Sequence, residues 1–436
     1  MRLPLSDRGA ESVLYWSANG ARSTGAFVGD AQRLAAALPE GSFVVNLCRD
    51  RYAFAVGFAA ALLRGQVSLL TSDRTPNRLH ALAERFSALY ALTDEPAGGP
   101  LPEAVPAPFT GVPAAIPTIP GDQIAALVFT SGSTGEPVAH TKRWDTLVER
   151  SRDGGAVFGL DPVHPAAIVG TVPPQHMYGF ETTVLLPLHA PAATWCGPVF
   201  FPADIRAALV EATAPRILVT TPFQLRGLQQ AAITLPPLWR IVSATAPLDV
   251  ALADAAERLW TTPEAALEVW EIFGATEIGS VATRRTTAGE DWTAYPRIVF
   301  RNEKDGLWLD APCAAPTRLD DRLELRPGGQ FRLLGRRTDV VKLGGHRASL
   351  AGLNSILTSI DGVQDGVFVP PDAQAPGAGN RMAAFVVAPG RSAEAILADL
   401  RDRIDPVFLP RRIVHVDRLP RNELGKLPLT SLQRVS

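Results

Sequence analysis

Four short segments of this chain combine residue types that could do chemistry together. Thr130-Ser131-Gly132-Ser133-Thr134-Gly135 follows directly on the apolar run 124–129. Glycines let a backbone turn so that successive N–H groups face one point, and the hydroxyls add donors there. The result is a cradle suited to phosphate. It lacks the Gly-Lys-Ser/Thr ending of a Walker A loop, which excludes the P-loop NTPase reading. A second segment, Ile272-Phe273-Gly274-Ala275-Thr276-Glu277, closes another apolar run. An aromatic, a glycine, a hydroxyl and a carboxylate at the C-terminal edge of a parallel sheet lie where such folds bind ligands. The Glu277 carboxylate could hold Mg²⁺ against phosphate oxygens. Taken alone, the same residues also suit a helix N-terminus.

The third segment runs from Leu334-Gly335-Arg336 through Asp339 and Lys342 to Gly344-Gly345-His346-Arg347, and the fourth is Leu419-Pro420-Arg421-Asn422-Glu423-Leu424-Gly425-Lys426. A lysine after a turn glycine could swing onto a phosphate as a point charge; it could equally be a solvated surface residue. Lysine is scarce here: of 42 basic residues only Lys142, Lys304, Lys342 and Lys426 are not arginine. Either a GC-rich genome left them by accident or some are kept for their chemistry.

The elements that must position these segments can be read from hydrophobic patterning. A strand at 42–47, a helix at 53–63 and a strand at 67–70 predict a parallel sheet with right-handed crossovers. Residues 96–120, rich in proline and glycine, read as a loop or linker. Apolar runs at 124–129, 167–169, 217–220, 241–243 and 267–272 alternate with helix-like stretches. Together they predict an α/β fold with doubly wound, mostly parallel sheets in a large N-terminal domain. Beyond about residue 320 shorter, arginine-rich alternating strands predict a small α+β C-terminal domain with helices on one side.

Composition narrows the classes. At 436 residues the chain is too long for one compact domain, and 46% hydrophobic against 20% charged residues supplies ample core. A formal charge of −2 lacks the footprint of a nucleic-acid binder. No apolar run reaches the roughly 20 residues of a membrane helix. The first residues lack the apolar stretch of a signal peptide, and Cys48, Cys196 and Cys313 have neither metal-like spacing nor the number for a disulfide framework. The expectation is a cytoplasmic protein with no nucleic-acid partner and no membrane insertion.

In this order and spacing, the four segments resemble the adenylate-forming superfamily of acyl-CoA synthetases, adenylation domains and luciferases, over roughly residues 120–436. The resemblance implies ATP and Mg²⁺ as cofactors. It places Thr130 and Ser131–Gly135 at the β and γ phosphates, Gly274 and Ala275 at the nucleotide, Thr276 at the α phosphate and Glu277 on Mg²⁺. It places Asp321 on the ribose, with Asp320 as a competitor because the expected Thr-Gly-Asp reads Leu319-Asp320-Asp321, and Arg336 on ribose or phosphate. Lys426 would bridge carboxylate and α phosphate. Asp339 would be the hinge between domains 1–338 and 339–436, and rotation there would bring Gly344-Gly345 to the thiol entrance. The acyl pocket would draw on His176, which gates it in relatives, with Tyr178, Gly179, Thr221, Ser243, Ala244, Phe273 and Gly274. His176 is equally readable as a structural hydrogen-bonder, and Tyr178 as plain core.

Two departures stand out. The family's phosphate loop usually ends in Pro-Lys, whereas here Pro137-Val138 is followed by Lys142 four residues on, and the sequence preceding the loop is short. With Pro173-Pro174-Gln175-His176-Met177-Tyr178-Gly179, these features resemble small free-standing ligases that load aryl or acyl acids onto acyl carrier proteins in aryl-polyene and xanthomonadin-type pigment pathways. The expected reaction is activation of an aromatic carboxylic acid, a hydroxybenzoate or hydroxycinnamate, to an acyl-adenylate. Transfer to the thiol of a holo-acyl carrier protein would follow. Residues 391–436 hold nine Lys/Arg against six Asp/Glu, which would favour an acidic carrier. Free CoA as acceptor, or a non-catalytic nucleotide- or acyl-binding protein on the same scaffold, are the alternatives.

Overall fold

The computed structural model describes the chain except residues 72, 97, 107, 131–137, 305, 313, 337–339, 344–345, 372–380, 423–424, 426 and 428–436, together with the side chains of Thr130, Arg336, Val340 and Arg347. It divides into two compact units. The first comprises Met1–Arg301, Trp308–Thr317 and Pro327–Gln330; the second comprises Asn302–Leu307, Arg318–Arg326 and Phe331–Ser436.

Two sheets organise the first unit. One runs in the order Val138–Arg143, Ile124–Thr130, Val67–Leu70, Phe43–Asn46, Leu89–Leu92, Glu103–Ala104, parallel throughout except at Val138–Arg143. The expected helix between its first and second chain-order strands, Phe43–Asn46 and Val67–Leu70, is Arg51–Leu63. Asp50 caps it by accepting from the Ala53 N–H at 2.9 Å, and it is buried nearly all round because its side chains are apolar on every face. Phe54, Phe58 and Phe180 pack edge to face in this core. Residues 96–120 join no two domains: Phe109 packs edge to face on Tyr52 and the N–H groups of Thr110 and Gly111 donate to Asp30. Apart from its short strands Glu103–Ala104 and Thr118–Pro120, the described part of that segment is strapped across the first helices, where its polar backbone finds a buried carboxylate.

The other sheet carries a run of parallel strands, Val13–Ser17, Ala192–Trp195, Ala166–Gly170, Arg216–Thr220, Arg240–Ser243 and Glu268–Ala275, continued antiparallel by Gly279–Arg285 and Asp291–Ala294. Its near-continuous Val/Ile/Leu strands are what burial on both faces requires. Helices Pro202–Glu211, Pro222–Gln230 and Val250–Trp260 supply the apolar faces that cover it.

In the second unit Asp365–Val369, Ala383–Val387 and Arg412–His415 form a mixed sheet. Phe368, Ala384 and Val386 point to a core with helices Leu350–Thr358 and Ala393–Arg401, while Val367, Val369 and Phe385 pack on Leu419. The strand period of two thus puts both helices on one face, as the alternation predicted. The chain is an α/β protein with a large N-terminal part, mostly parallel sheets and a smaller C-terminal domain.

Candidate active site

Ligands of doubly wound sheets bind beyond the carboxyl ends of the strands, and several of the expected residues of the first unit gather there. Register places Thr220 beside Ser243 and Ser243 beside Glu271 on adjacent parallel strands. Thr221 follows the first strand as N-cap of Pro222–Gln230, accepting from the Gln224 N–H at 3.3 Å. Thr171, beyond Ala166–Gly170, donates to Thr220 at 3.0 Å, so buried hydroxyls line neighbouring strand ends. Ser243 is fully buried and its Oγ has no partner among the described residues; Ala244 is buried beside it. Thr245 adopts a φ of 79°, a left-handed conformation that a β-branched residue rarely takes. Phe273 is buried edge to face against Trp292.

The segment His176–Phe180 meets this edge through Tyr178. His176 caps the short helix Met177–Phe180, its Nδ1 accepting from the Tyr178 N–H at 3.3 Å, and it is partly exposed. The Tyr178 hydroxyl donates to the Val242 carbonyl at 2.7 Å, tying this helix to the strand that ends in Ser243. Burial raises the phenol well above its usual pKa, so it stays a neutral donor. Gly179 lies so close to Pro173 that a Cβ would stand 2.2 Å from its carbonyl oxygen. Only glycine permits that approach.

Thr276 and Glu277 stand at the tip of a β-hairpin, between Glu268–Ala275 and Gly279–Arg285, rather than at a helix N-terminus. The Ile278 N–H closes the turn on the Ala275 carbonyl at 3.0 Å. Gly274 is exposed and Ala275, Thr276 and Glu277 are half-buried, whereas Ile278, Gly279 and Ser280 are buried beneath them. The tip therefore shows one polar face outward. Among the described residues no three His, Cys, Asp or Glu side chains cluster as a metal cage. An Mg²⁺ ion bound to phosphate oxygens can take a single protein carboxylate, so the half-buried Glu277 side chain fits such an ion.

The underside of the hairpin was not legible as a unit. Lys142, on strand Val138–Arg143, is 2% exposed and its ammonium donates to the Glu277 carbonyl at 2.6 Å. Burial lowers its pKa to about 8, opposed by the charges of Glu181 and Glu277. Glu181 is buried too, and its Oε2 accepts from the Ser280 N–H at 3.0 Å and the Ser280 hydroxyl at 2.6 Å. Burial raises its pKa, while Ser280, Lys142 and Arg150 pull it down. Arg150, itself buried, pairs with Asp153 at 3.1 Å and lines with Glu181, Ser280 and Tyr295 a cavity of about 20 Å³. A charged residue inside the apolar run 177–188 was the signal to follow, because a buried carboxylate must be satisfied somewhere.

Two other positioning groups escaped the sequence reading. Glu271 accepts from the Leu248 N–H at 2.9 Å and pairs with Arg284 at 2.7 Å, holding the segment after Ser243 to its neighbouring strand. Arg51, the first residue of helix Arg51–Leu63, is buried and donates to Thr183 and to the carbonyls of Gly170 and Val172. It anchors the chain leading to His176.

In the second unit Asp321 begins the strand Asp321–Leu325, where it lies opposite Arg336 of Gln330–Arg336. Asp321 is buried and lines a cleft of about 410 Å³ with Asn302, Lys304, Leu323 and Leu334, whereas Asp320 is exposed. The turn before Lys426 is held by Arg421, which makes two 2.7 Å bonds to Asp365 and donates to the Gly425 carbonyl at 2.8 Å. Ser131, Gly132, Ser133, Thr134, Gly135, Asp339, Gly344, Gly345 and Lys426, and the side chains of Thr130 and Arg336, lie outside the described residues.

A hydroxyl-lined sheet edge beside a carboxylate-bearing hairpin, with a smaller C-terminal domain, agrees with the family that the sequence comparisons show. The sequence pattern of the AMP-binding enzyme family matches residues 29–301, and that of the AMP-binding enzyme C-terminal domain matches 353–426. The chain belongs to this family and is an AMP-forming acid–thiol ligase. It is 32% identical over 286 residues to a 4-coumarate–CoA ligase from Rhodobacter capsulatus, covering 65% of this chain and 68% of the relative. A 4-coumarate–CoA ligase from Halorhodospira halophila is 30% identical over 308 residues, 68% and 73% of the two chains. The fold matches that of an o-succinylbenzoate CoA synthetase from Bacillus subtilis bound to its acyl-adenylate, with a TM-score of 0.81, 16% identity, and 99% and 98% of the chains covered. Among the described residues no helix is long and apolar enough to cross a membrane.

Proposed function

We propose that this ligase activates an aromatic carboxylic acid bearing a polar ring substituent and passes the acyl group to the thiol of a holo-acyl carrier protein. The observation that carries the acid is the pairing of flat and hydroxylated groups at one sheet edge: Tyr178 and Phe273 with Thr221 and Ser243, all buried. Such a set suits a ring with a hydrogen-bonding group better than a long alkyl chain, whose methylenes would leave the Ser243 hydroxyl unpaired. The names of two relatives, 4-coumarate–CoA ligases, agree with an aromatic acid.

ATP would meet the hairpin tip, with Thr276 at its α phosphate. Mg²⁺ held by Glu277 would offset the charge that gathers on phosphoryl oxygens as the carboxylate displaces pyrophosphate. Thr276 and Glu277 stand together on the hairpin tip and Asp321 lies opposite Arg336 in register, which supports these roles. The basic excess of residues 391–436 supports a carrier protein as acceptor. The relatives' names favour the second reading, free CoA. Pyrophosphate release across aryl and medium-chain fatty acids tests the first claim, and preference for a fatty acid overturns it. CoA and holo-carrier protein offered side by side decide the acceptor.

A further inference from the structure

Lys142 stands near the place where relatives carry a phosphate-loop lysine, yet its side chain is directed elsewhere. Its ammonium is buried and donates to the backbone carbonyl of Glu277, on the side of the hairpin tip away from solvent. Three residues further on, the other arm of the hairpin is gripped by Glu181, which takes both the N–H and the hydroxyl of Ser280. The fit there is tight. At Gly279, whose φ is +104°, a Cβ would sit 2.1 Å from Glu181 Oε1, so the carboxylate occupies the space a side chain would need. Lys142 comes from an antiparallel strand of one sheet and Glu181 from the helical segment after Phe180, while the hairpin belongs to the other sheet. The two groups join the sheets beneath Thr276 and Glu277.

We propose that Lys142 and Glu181 act as a pair of buried positioning residues that fix the hairpin tip, holding the Thr276 hydroxyl and the Glu277 carboxylate at the height at which they meet the nucleotide. Lys142 does so through the Glu277 carbonyl and Glu181 through Ser280; neither touches phosphate. The inference rests on the reading of Thr276 and Glu277 as nucleotide-facing residues. A charged clamp is favoured here over a neutral one because a hydrogen bond from an ammonium, or to a carboxylate, is roughly twice as strong as one between neutral groups. A displacement of about 1 Å in a group that positions reactants can cost about 100-fold in rate.

The test uses the full-length enzyme with Lys142→Met, Lys142→Arg, Glu181→Gln and Ser280→Ala. Hydrogen exchange at the amides of residues 276–280 is measured without nucleotide, alongside kcat and the KM for ATP in pyrophosphate release. Lys142→Met is expected to speed exchange at these amides by about tenfold or more. It should lower kcat by about 10- to 100-fold, with a smaller change in the KM for ATP. Lys142→Arg should recover part of both effects, and Ser280→Ala should give the mildest change. If Lys142→Met does not fold, Glu181→Gln and Ser280→Ala carry the same test at the same amides. Unchanged exchange in the folded variants overturns the clamp. Faster exchange with full kcat overturns its role in positioning. A rise confined to the KM for ATP, with exchange unchanged, makes Lys142 a phosphate ligand instead and also overturns the proposal. If no acid supports pyrophosphate release by the unaltered enzyme, the reading of the site fails while the exchange result still decides the clamp.

Discussion

Two turns of this molecule are built on the same device and differ in where it is buried. At the hairpin tip of the first unit, Lys142 holds the carbonyl of Glu277. In the second unit, Arg421 holds the carbonyl of Gly425, one residue before Lys426. In each, a cation grips the backbone beside a residue expected to act on the nucleotide. The first cation is sealed and faces the charges of Glu181 and Glu277. The second is partly open to solvent and bidentate to Asp365, with side-chain exposures of 19% and 16%. A sealed ammonium has no water to fall back on, so moving it is costly, and the clamp proposed above expects a rigid tip. A guanidinium partly open to water keeps some solvation when its partners leave, so it gives them up at a smaller cost than a sealed cation does. On the clamp proposed above, the same contact would make a fixed platform where it is sealed and a releasable latch where it is partly open, as a domain expected to change position between two half-reactions would need.

The largest test of the contrast is at Lys426. Lys426→Ala is expected to lower adenylation by about 100- to 1,000-fold, the loss of one preorganised charge at the reacting phosphate. Calorimetry should show ATP still bound, and transfer from a supplied acyl-adenylate to thiol should survive. Loss of ATP binding as well would place Lys426 in the platform and not on the latch.

Gly279→Ala addresses the platform itself. The added Cβ meets Glu181 Oε1 in a backbone conformation already unfavourable for alanine. Chemical denaturation should register a loss of about 2–4 kcal/mol, with faster amide exchange at Ser280. A variant as stable as the parent would show that Glu181 moves aside freely and that the seat is not rigid.

For the latch, Arg421→Ala is expected to slow adenylation by about 5- to 10-fold, with about 1–2 kcal/mol of stability lost from the second unit. Asp365→Asn should give a similar but smaller effect, and the double variant should be less than additive because the two residues share one pair of bonds. Full additivity would mean that Asp365 does not steady Arg421.

The smallest effect concerns the acceptor. If the basic excess of residues 391–436 steers an acidic carrier protein, raising salt from 50 to 500 mM should slow carrier loading by about 3- to 10-fold while leaving pyrophosphate release with the acid unchanged. Equal loading at both salts would remove electrostatic docking from the account.

Much of this architecture was legible from patterning, and the particular misses share a cause. The strand Val67–Leu70 lies where its apolar run placed it, as does Ile124–Thr130, because strand period and glycine punctuation act within a few residues. The hairpin at Thr276 was open to a helix reading, since Gly-x-Thr-Glu favours either ending until a partner strand is known. The choice between Asp320 and Asp321 for a buried position turned on strand alternation: Asp321 faces inward opposite Arg336, and its neighbour faces water. Lys142 was marked by its rarity but not by its role, and Glu181 only by being an acid in an apolar run.

By itself the order of residues determined the family, the alternation of strands and helices, and the glycine and hydroxyl segments that end those strands, because these depend on local backbone freedom and on periodicity. Tertiary structure alone decided which distant charges meet. Lys142, Glu181 and Ser280 belong to three separate elements, and no local preference of any one anticipates the others. Their convergence follows from burial, which forbids an unpaired charge and so selects the packing in which each finds a partner.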